Sequence, residues 1–287
     1  MLDRLAGLNP EKVTLVVNPG NQDEIEACAN AVMPGRVVCQ VQEKPLGIAH
    51  AILSGGIEPG PLLVILGDTI MDAPLAEWIP EGDFIGVKEV CDPRRFGVAE
   101  LDGAGMVTHV VEKPERPMTN LALVGLYYIQ DSGALKKAIE KLISSGSRTK
   151  DEFQITDALD ILLAGGWRPC ARAIDEWYDC GKIDALLDSN RRLLANYPPP
   201  VPDLPGVELR PPVAMAKGAS VAGGRIGPCV TVMEGAVIRD SEISDSIVSS
   251  CAVIEGSSLC QSVVGKEARI TGFSGSLSVG DHSEVSG

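Results

Sequence analysis

The last part of the chain repeats with a period of sixteen residues, and this repeat constrains the fold more than any other feature. Aliphatic residues recur at that spacing in three registers: Val232, Val248 and Val264; Ile238, Ile254 and Ile270; and Ile243 and Leu259. Within a period the aliphatic positions step by six, five and five residues, with Gly, Ser and Asp between them. Three short strands per coil predict a triangular parallel β-solenoid. A β-sandwich of short strands is the alternative.

Residues 1–197 have a different sequence pattern, in which strand-like and helix-like segments alternate. Alternation of this kind predicts an α/β fold, a doubly wound and largely parallel sheet covered by helices. The predicted strands are 13–17, 37–42, 61–66, 84–87, 97–101, 106–111 and 124–129, and the predicted helices include 23–32 and 47–53. Two further helices are indicated by apolar faces, one formed by Leu135, Ile139, Leu142 and Ile143 and the other by Ile183, Leu186, Leu187 and Leu194.

A proline-rich segment separates the alternating α/β part of the sequence from the repeat. Residues 198–202 read Pro-Pro-Pro-Val-Pro, which neither a helix nor a central strand can continue. The predicted domains are therefore an α/β domain over 1–197, a stiff linker over 198–206 and the solenoid over 207–287.

Charge and composition exclude several classes of protein. A formal net charge of −14 argues against a nucleic-acid or anionic-membrane partner, because either would need a basic face. The eight cysteines include no C-x-x-C pair, which indicates buried, reduced thiols in the cytosol. Residues 1–5 carry charges where a signal peptide needs an apolar core, and no run approaches the roughly 20 apolar residues of a membrane span. The sequence therefore predicts a soluble, cytoplasmic protein.

Asp68 ends the run Pro61–Gly67, which is apolar on both faces and is expected to lie inside the sheet. Ligands of α/β sheets bind beyond the carboxyl ends of the strands, where Asp68 would stand. A carboxylate there is a natural ligand for Mg²⁺ and its attached phosphates. Upstream, the segment Gln42–Ala51 turns from a strand end through Pro45 and Gly47 into a helix, and His50 at the start of this helix is expected to be a surface or packing residue.

Seven short motifs occur along the α/β domain. They are Gln42-x-x-Pro45-x-Gly47-x-Ala49, Leu66-Gly67-Asp68, Phe96-Gly97-Val98, Glu112-Lys113-Pro114, Leu123–Tyr127, Glu152–Asp157 and Trp177–Gly181. In these motifs and their order, the chain resembles the sugar-1-phosphate nucleotidyltransferases. The resemblance covers nearly the whole chain and is greatest to the long glucose-1-phosphate thymidylyltransferase type. Proteins of that type end in a left-handed β-helix of hexapeptide repeats, and the segment Ile226–Val232 is similar to such a repeat.

The resemblance implies a role for each site residue. Gln42 and Gly47 would contact the nucleobase, and Asp68 and Asp179 would hold Mg²⁺. The sugar phosphate would be bound by Gly97, Glu112, Lys113, Tyr127 and Glu152, with Lys113 and Asp68 acting as the catalytic groups. Without the resemblance, each of these residues has a simpler interpretation. Gln42 would be a solvated strand end, Glu112-Lys113-Pro114 would form a turn, and Asp68 and Asp179 would each cap a turn.

The implied reaction is attack of a sugar-1-phosphate oxygen on the α-phosphorus of a nucleoside triphosphate, which gives a nucleotide-sugar and pyrophosphate. The Gln42 amide suits dTTP or UTP, and glucose-1-phosphate is the expected acceptor. A non-catalytic relative that binds nucleotide-sugars or supports an oligomer is the alternative, and a hexapeptide-repeat acyltransferase is a more distant one. Because a solenoid end must be capped, the β-helix is expected to bury a face against the first domain or against a second copy of the chain, and a homo-oligomer is expected.

The family's N-terminal signature loop, G-G-x-G-T-R-x-x-P, does not occur in this sequence. The resemblance starts inside the family's first long helix, at Leu2–Leu5. The family strand that precedes this helix would lie between 13–17 and 62–66. We therefore expect the native protein to be longer, with Met1 an internal methionine.

Overall fold

The computed structural model describes residues 2–200 and 203–287, so Val201 and Pro202 of the predicted linker lie outside the described residues. Packing divides the chain into two compact units, Met1–Trp177 and Tyr178–Gly287. The domain boundaries of 1–197, 198–206 and 207–287 stay a prediction.

The first unit alternates helices with strands, as the sequence predicts. Its helices are α1 (Leu2–Ala6), α2 (Gln22–Val32), α3 (Ile48–Ser54), α4 (Leu75–Trp78), α5 (Ser132–Ser145) and α6 (Ile155–Ala164), with 3-10 turns at Ile79–Glu81 and Pro93–Arg95. Its strands are β1 (Val13–Val17), β2 (Val37–Val41), β3 (Leu62–Ile65), β4 (Thr69–Met71), β5 (Phe84–Glu89), β6 (Gly97–Leu101), β7 (Val107–Glu112), β8 (Leu121–Ile129) and β9 (Cys170–Ala173), and β10 (Trp177–Asp179) begins at its last residue.

The main sheet is mixed rather than largely parallel. Its strand order is β7-β6-β8-β5-β9, and β3 also pairs with β8. Strand β8 is antiparallel to β3, β5 and β6, whereas β5 and β9 are parallel. Strands β1 and β2 form a separate parallel pair. The α/β class is confirmed, but an apolar run shows that a strand is buried and does not show its direction.

Strand β8 forms the centre of the core. Its residues 122–129 are all buried, and α5 and α6 pack in the same hydrophobic cluster. Helix α5 begins where the Asp131 carboxylate accepts a hydrogen bond from the Ala134 N–H at 3.0 Å, and it ends at Gly146 with φ of 70°. The apolar face predicted for this helix is confirmed, since Leu135, Ile139 and Leu142 are buried.

The prediction that strand β3 lies in the sheet interior with both faces covered is wrong for the described residues. All four of its residues are half-buried. In the sheet formed by the described chain, β3 pairs only with β8, and β1 pairs only with β2. Asp68 nevertheless lies at an exposed position three residues beyond the carboxyl end of β3.

The second unit consists of helix α7 (Ile183–Asn196) and a parallel β-solenoid of about five coils, consistent with a left-handed β-helix. The solenoid strands are β11 (Glu208–Leu209), β12 (Val213–Met215), β13 (Ser220–Ile226), β14 (Val230–Val232), β15 (Val237–Ser244), β16 (Ile247–Val248), β17 (Val253–Glu255), β18 (Ser258–Cys260), β19 (Val263–Val264), β20 (Arg269–Thr271), β21 (Ser274–Gly275), β22 (Ser278–Val279) and β23 (Glu284–Ser286). Leu187 and Leu194 of α7 are buried as predicted, but Ile183 in its first turn is 46% exposed.

The sixteen-residue repeat is the register of the solenoid. Val232 pairs with Val248 and Val248 with Val264, and the Ile238 and Ile243 registers pair in the same way. Every one of these repeating residues is at most 2% exposed. The predicted inward aliphatic column on each face is therefore confirmed.

Two columns of buried serines stack between the strands of successive coils. In the first, the Ser241 hydroxyl donates to the Arg239 carbonyl at 2.6 Å and accepts from the Ser257 N–H at 3.1 Å. The Ser257 hydroxyl continues the column, accepting from the Phe273 N–H at 3.2 Å. Ser246 and Ser262 form the second column in the same way. These hydroxyls satisfy backbone groups that would otherwise be buried without partners.

Ser257→Ala is expected to lower the free energy of unfolding by about 1–3 kcal/mol, because it leaves the Phe273 N–H without its acceptor. Urea unfolding of the full chain measures this change. The neighbouring Ser258 is exposed, so Ser258→Ala serves as the control and should change stability by less than about 0.5 kcal/mol. Equal effects of the two substitutions would show that the serine column does not stabilise the solenoid.

None of the eight cysteines is in a disulfide, as predicted, but the prediction that they are buried is wrong. Cys28, Cys91, Cys251 and Cys260 are exposed, and the other four are half-buried. No helix in the described part of the chain is both long and apolar enough to cross a membrane.

Candidate functional site

A loop before helix α3 is fixed by backbone contacts with Phe153. Phe153 donates its N–H to the Leu46 carbonyl at 2.9 Å, and its own carbonyl accepts from the Ala49 N–H at 3.0 Å. Gly47 between them has φ of 112° and ψ of 172°. A Cβ at this position would lie 2.6 Å from the Phe153 oxygen, so only glycine allows the two segments to approach this closely.

Gln42 follows strand β2 and is folded onto this loop. Its Nε2 donates to the Gly47 carbonyl at 3.3 Å and to His50 Nδ1 at 2.9 Å. The side chain is half-buried and held at its amide end. The structure thus brings together Gln42 and Gly47, and the simpler interpretation of Gln42 as a solvated strand end is wrong.

A second cluster forms around Glu112 at the end of strand β7. Its Oε2 accepts from the Thr156 hydroxyl at 3.0 Å, and its Oε1 lies 3.2 Å from Lys113 Nζ. The Glu112 side chain is only 9% exposed. Gly97 pairs with Glu112 across the sheet, and a Cβ on Gly97 would lie 2.8 Å from Thr156 Cγ2. These contacts leave no room for a side chain at position 97.

Lys113 and Tyr127 differ in their exposure. The Lys113 side chain is 44% exposed, and its backbone has a positive φ of 41°. Tyr127 is 2% exposed; burial raises the pKa of its phenol well above the usual value, and the Glu112 carboxylate raises it further. Lys113 therefore offers an accessible cation next to a nearly buried carboxylate.

The segment Glu152–Thr156 connects the two clusters. Phe153 holds the loop that carries Gly47, and Thr156, in the first turn of α6, holds Glu112. Three residues of chain span at most about 11 Å, so the clusters lie side by side on this segment. Glu152 is exposed, and its Oε2 accepts from Gln154 Nε2 at 3.1 Å.

The two aspartates predicted to hold a metal occupy different settings. Asp68 is exposed and has a long, 3.4 Å contact with the Thr69 hydroxyl. Asp179 is half-buried in the second unit, and its Oδ1 accepts from the Gly181 N–H at 3.0 Å. Among the described residues, no group of three or more His, Cys, Asp and Glu side chains could hold a metal ion. The pairing of Asp68 with Asp179 at a metal stays a prediction.

Sequence reasoning missed Thr156 and His50. The contact between Thr156 and Glu112 joins residues 44 positions apart, and no local pattern encodes it. His50 lies eight residues after its partner Gln42, in the first turn of helix α3, a helix that the sequence did predict. Its spacing from Gln42 was visible in the sequence, but its contact with the amide was not.

Thr156→Val is expected to weaken binding at the Glu112 cluster, because the carboxylate loses the donor that fixes its Oε2. Loss of one hydrogen bond to a charged group corresponds to about 1.5–3 kcal/mol, so the apparent affinity for a ligand of Glu112 should fall roughly tenfold or more. Equilibrium titration of the full chain with the sugar phosphate that the resemblance implies measures this. Thr108, an exposed strand residue, provides the control Thr108→Val, and equal effects would contradict the prediction.

Comparisons with known proteins show what the chain is similar to. The family model described as nucleotidyl transferase matches residues 1–196. The low-salt glycan biosynthesis nucleotidyltransferase Agl11 of Haloferax volcanii is 37% identical over 163 residues, which are 54% of this chain and 44% of that protein. A glucose-1-phosphate thymidylyltransferase of Streptomyces griseus is 29% identical over 85% of this chain and 77% of its own length.

A solved structure shows the same fold. It is a Bacillus anthracis protein, provisionally described as a glucose-1-phosphate thymidylyltransferase, in complex with sucrose. The superposition has a TM-score of 0.55 at 22% identity and covers 66% of this chain and 78% of that one.

Proposed function

Because the chain belongs to the nucleotidyl transferase family, we propose that it transfers a nucleotidyl group from a nucleoside triphosphate to a sugar-1-phosphate and releases pyrophosphate. The observation that carries this proposal is the pair of clusters on the segment Glu152–Thr156. One cluster presents an amide and a glycine, and the other presents a carboxylate and an ammonium. Two adjacent subsites of different chemistry suit two substrates that must react with each other.

The cluster of Gln42 and Gly47 is proposed to bind the nucleobase. A side-chain amide can bond to the edge of a base, and Gly47 lets the base approach the backbone. Thymine and uracil each have an N–H donor between two carbonyl acceptors. Either base can therefore bind a protein acceptor that lies beside a protein donor. We therefore propose dTTP or UTP as the nucleotide, in line with the name of the Streptomyces griseus relative.

The cluster of Gly97, Glu112 and Lys113 is proposed to bind the sugar phosphate. The Glu112 carboxylate would accept hydrogen bonds from sugar hydroxyls, and the Lys113 ammonium would neutralise the phosphate as a compact point charge. Tyr127 and Glu152 are proposed to complete this pocket. Glucose-1-phosphate is the favoured substrate, again by the name of that relative.

An oxygen of the sugar phosphate attacks the α-phosphorus, forming one P–O bond as the P–O bond to pyrophosphate breaks. The phosphate is already an anionic nucleophile, so no general base is required. Asp68 and Asp179 are proposed to hold Mg²⁺, a fit that rests on the accessible Asp68 carboxylate and on the preference of Mg²⁺ for one or two carboxylates plus phosphate oxygens. When bound, the ion would neutralise phosphate charge. Lys113 would hold the attacking phosphate in line.

Pyrophosphate release tests this proposal. The full chain is supplied with Mg²⁺, glucose-1-phosphate and each nucleoside triphosphate in turn, and release is expected with dTTP or UTP. Omitting the sugar phosphate is the control, because simple hydrolysis would continue without it. Tight nucleotide binding with no release under any combination would contradict the proposal and favour a non-catalytic nucleotide-sugar-binding protein.

A further inference from the structure

The Gln42 amide is held through both of its N–H bonds. One points to the Gly47 carbonyl at 3.3 Å, and the other points to His50 Nδ1 at 2.9 Å. An amide group has two donors on nitrogen and acceptor lone pairs on oxygen. With both donors engaged, only the oxygen of this side chain remains available for a ligand.

The Gly47 carbonyl determines which way the amide faces. A carbonyl can only accept, so the nitrogen of Gln42 must be the atom that faces it. The same nitrogen then faces His50 Nδ1, which must accept as well. This contact corresponds to the His50 tautomer whose Nδ1 accepts and whose Nε2 carries the hydrogen. Ser54 Oγ also lies 3.5 Å from His50 Nδ1, but its hydrogen donates to the His50 backbone carbonyl at the shorter distance of 2.9 Å, which leaves Nδ1 as the acceptor for Gln42.

Among the described residues, the Gln42 oxygen and one backbone N–H of the same loop have no protein partner. Within residues 2–200 and 203–287, no group donates a hydrogen bond to Gln42 Oε1, and the Gly47 N–H donates to no acceptor. The loop therefore presents an acceptor on Gln42 and a donor on Gly47. When N3 of the base faces the amide oxygen, uracil or thymine donates its N3–H to that oxygen, whereas N3 of cytosine is an acceptor and meets the oxygen unfavourably.

We propose that His50 is a positioning residue that locks the Gln42 amide with its oxygen outward and so makes the loop select an imide base over cytosine. This inference rests on the proposed function only in that it assigns the nucleobase to this loop. Without an acceptor at Nδ1, only the longer 3.3 Å contact with the Gly47 carbonyl holds the amide, so the amide can turn more readily and present its NH₂ group, which suits N3 of cytosine. His50 thus acts on the base through Gln42 and does not contact it.

Equilibrium binding of UTP and CTP to the full chain, with Mg²⁺ and without sugar phosphate, tests the proposal. The two nucleotides share the ribose and the triphosphate and differ only in the base edge. The wild-type chain is expected to bind UTP more tightly than CTP. His50→Leu removes the acceptor and should reduce the ratio of the two affinities roughly tenfold. His50→Asn keeps an acceptor oxygen near the position of Nδ1 and should restore most of the ratio.

His282→Leu is the matched control, since His282 is an exposed residue of the solenoid and should leave the ratio unchanged. The inference is overturned if the wild-type chain binds UTP and CTP equally or binds neither. It is also overturned if His50→Leu keeps the wild-type ratio, or if His50→Asn loses the ratio as fully as His50→Leu does.

Pyrophosphate release, measured in parallel, separates this inference from the proposed function. Selective UTP binding that depends on His50, with no release of pyrophosphate, would support the inference and contradict the function. Release of pyrophosphate with no effect of His50→Leu on the ratio would do the reverse.

Discussion

Asp68→Asn is expected to lower the rate of pyrophosphate release by about 10²–10³-fold, which is the size of effect seen when one group that stabilises transition-state charge is removed. Asp68 is exposed between strands β3 and β4, and among the described residues its carboxylate has one hydrogen-bond contact, a long one with the Thr69 hydroxyl. A neutral amide is a weaker ligand for a hard cation, so the Mg²⁺ concentration needed for half-maximal rate should also rise. Steady-state rates across a Mg²⁺ titration measure both changes.

Asp23→Asn provides the control for Asp68→Asn, because Asp23 is an exposed aspartate in the first turn of α2. It makes the same change of charge away from the strand end and should leave the rate and its Mg²⁺ dependence unaltered. If Asp68→Asn kept more than about a tenth of the wild-type rate at saturating Mg²⁺, Asp68 would not be a metal ligand in the reaction.

Gly47→Ala is expected to weaken nucleotide binding at least tenfold and to lower the free energy of unfolding by about 1–3 kcal/mol. The φ of 112° and ψ of 172° at Gly47 lie in a region that only glycine adopts readily. In addition, the new Cβ would lie 2.6 Å from the Phe153 carbonyl oxygen, so the two hydrogen bonds that Phe153 makes to the loop must give way. UTP titration and urea unfolding of the full chain measure the two effects.

Gly56→Ala separates the steric clash from the backbone strain. Gly56 lies just beyond the other end of helix α3 with φ of 77°, and a Cβ there would meet nothing within 4 Å. This control should therefore lose stability but keep nucleotide affinity. If both variants bound UTP as the wild-type chain does, the close approach of Gly47 to Phe153 would have no part in binding.

The solenoid could be predicted from the sequence because each coil repeats the same physical requirement. Val232, Val248 and Val264 occupy equivalent buried positions, and a column of aliphatic side chains is visible as a sequence period. The buried serines were not predicted. Ser257 and the exposed Ser258 are neighbours of the same type, and only the fold shows which one faces inward.

In the α/β domain, the positions of the strands were predictable and their directions were not. Strand β8 lies at the centre of the sheet and is antiparallel to β3, β5 and β6. Its residues 122–129 are all buried, which is also expected of a central parallel strand. The apolar run in β3 predicted burial on both faces, but burial depends on the neighbours that a strand finds, and in the described chain β3 pairs only with β8.

The candidate site was predictable where neighbouring residues carry the signal. Gln42 with Gly47, and Glu112 with Lys113, are each close in sequence, and the structure brings each pair together. Thr156 and Phe153 reach these pairs across the fold, through contacts that join distant parts of the chain. Such contacts follow from tertiary packing, which no single segment of sequence encodes.

The solenoid register also determines how this domain can change in length. Each coil pairs only with the coils next to it, and equivalent residues in the central coils are sixteen positions apart. Removing a whole coil would rejoin matching faces. Removing one residue inside a strand would turn the following side chains to the other face, whereas a change between strands is absorbed, since the spacing is seventeen residues from Val213 to Val230 and fifteen from Val264 to Val279. Length variation among natural or engineered versions should therefore come as whole coils or as single residues at the corners between strands, which makes the coil the main unit of evolution and of design in this domain.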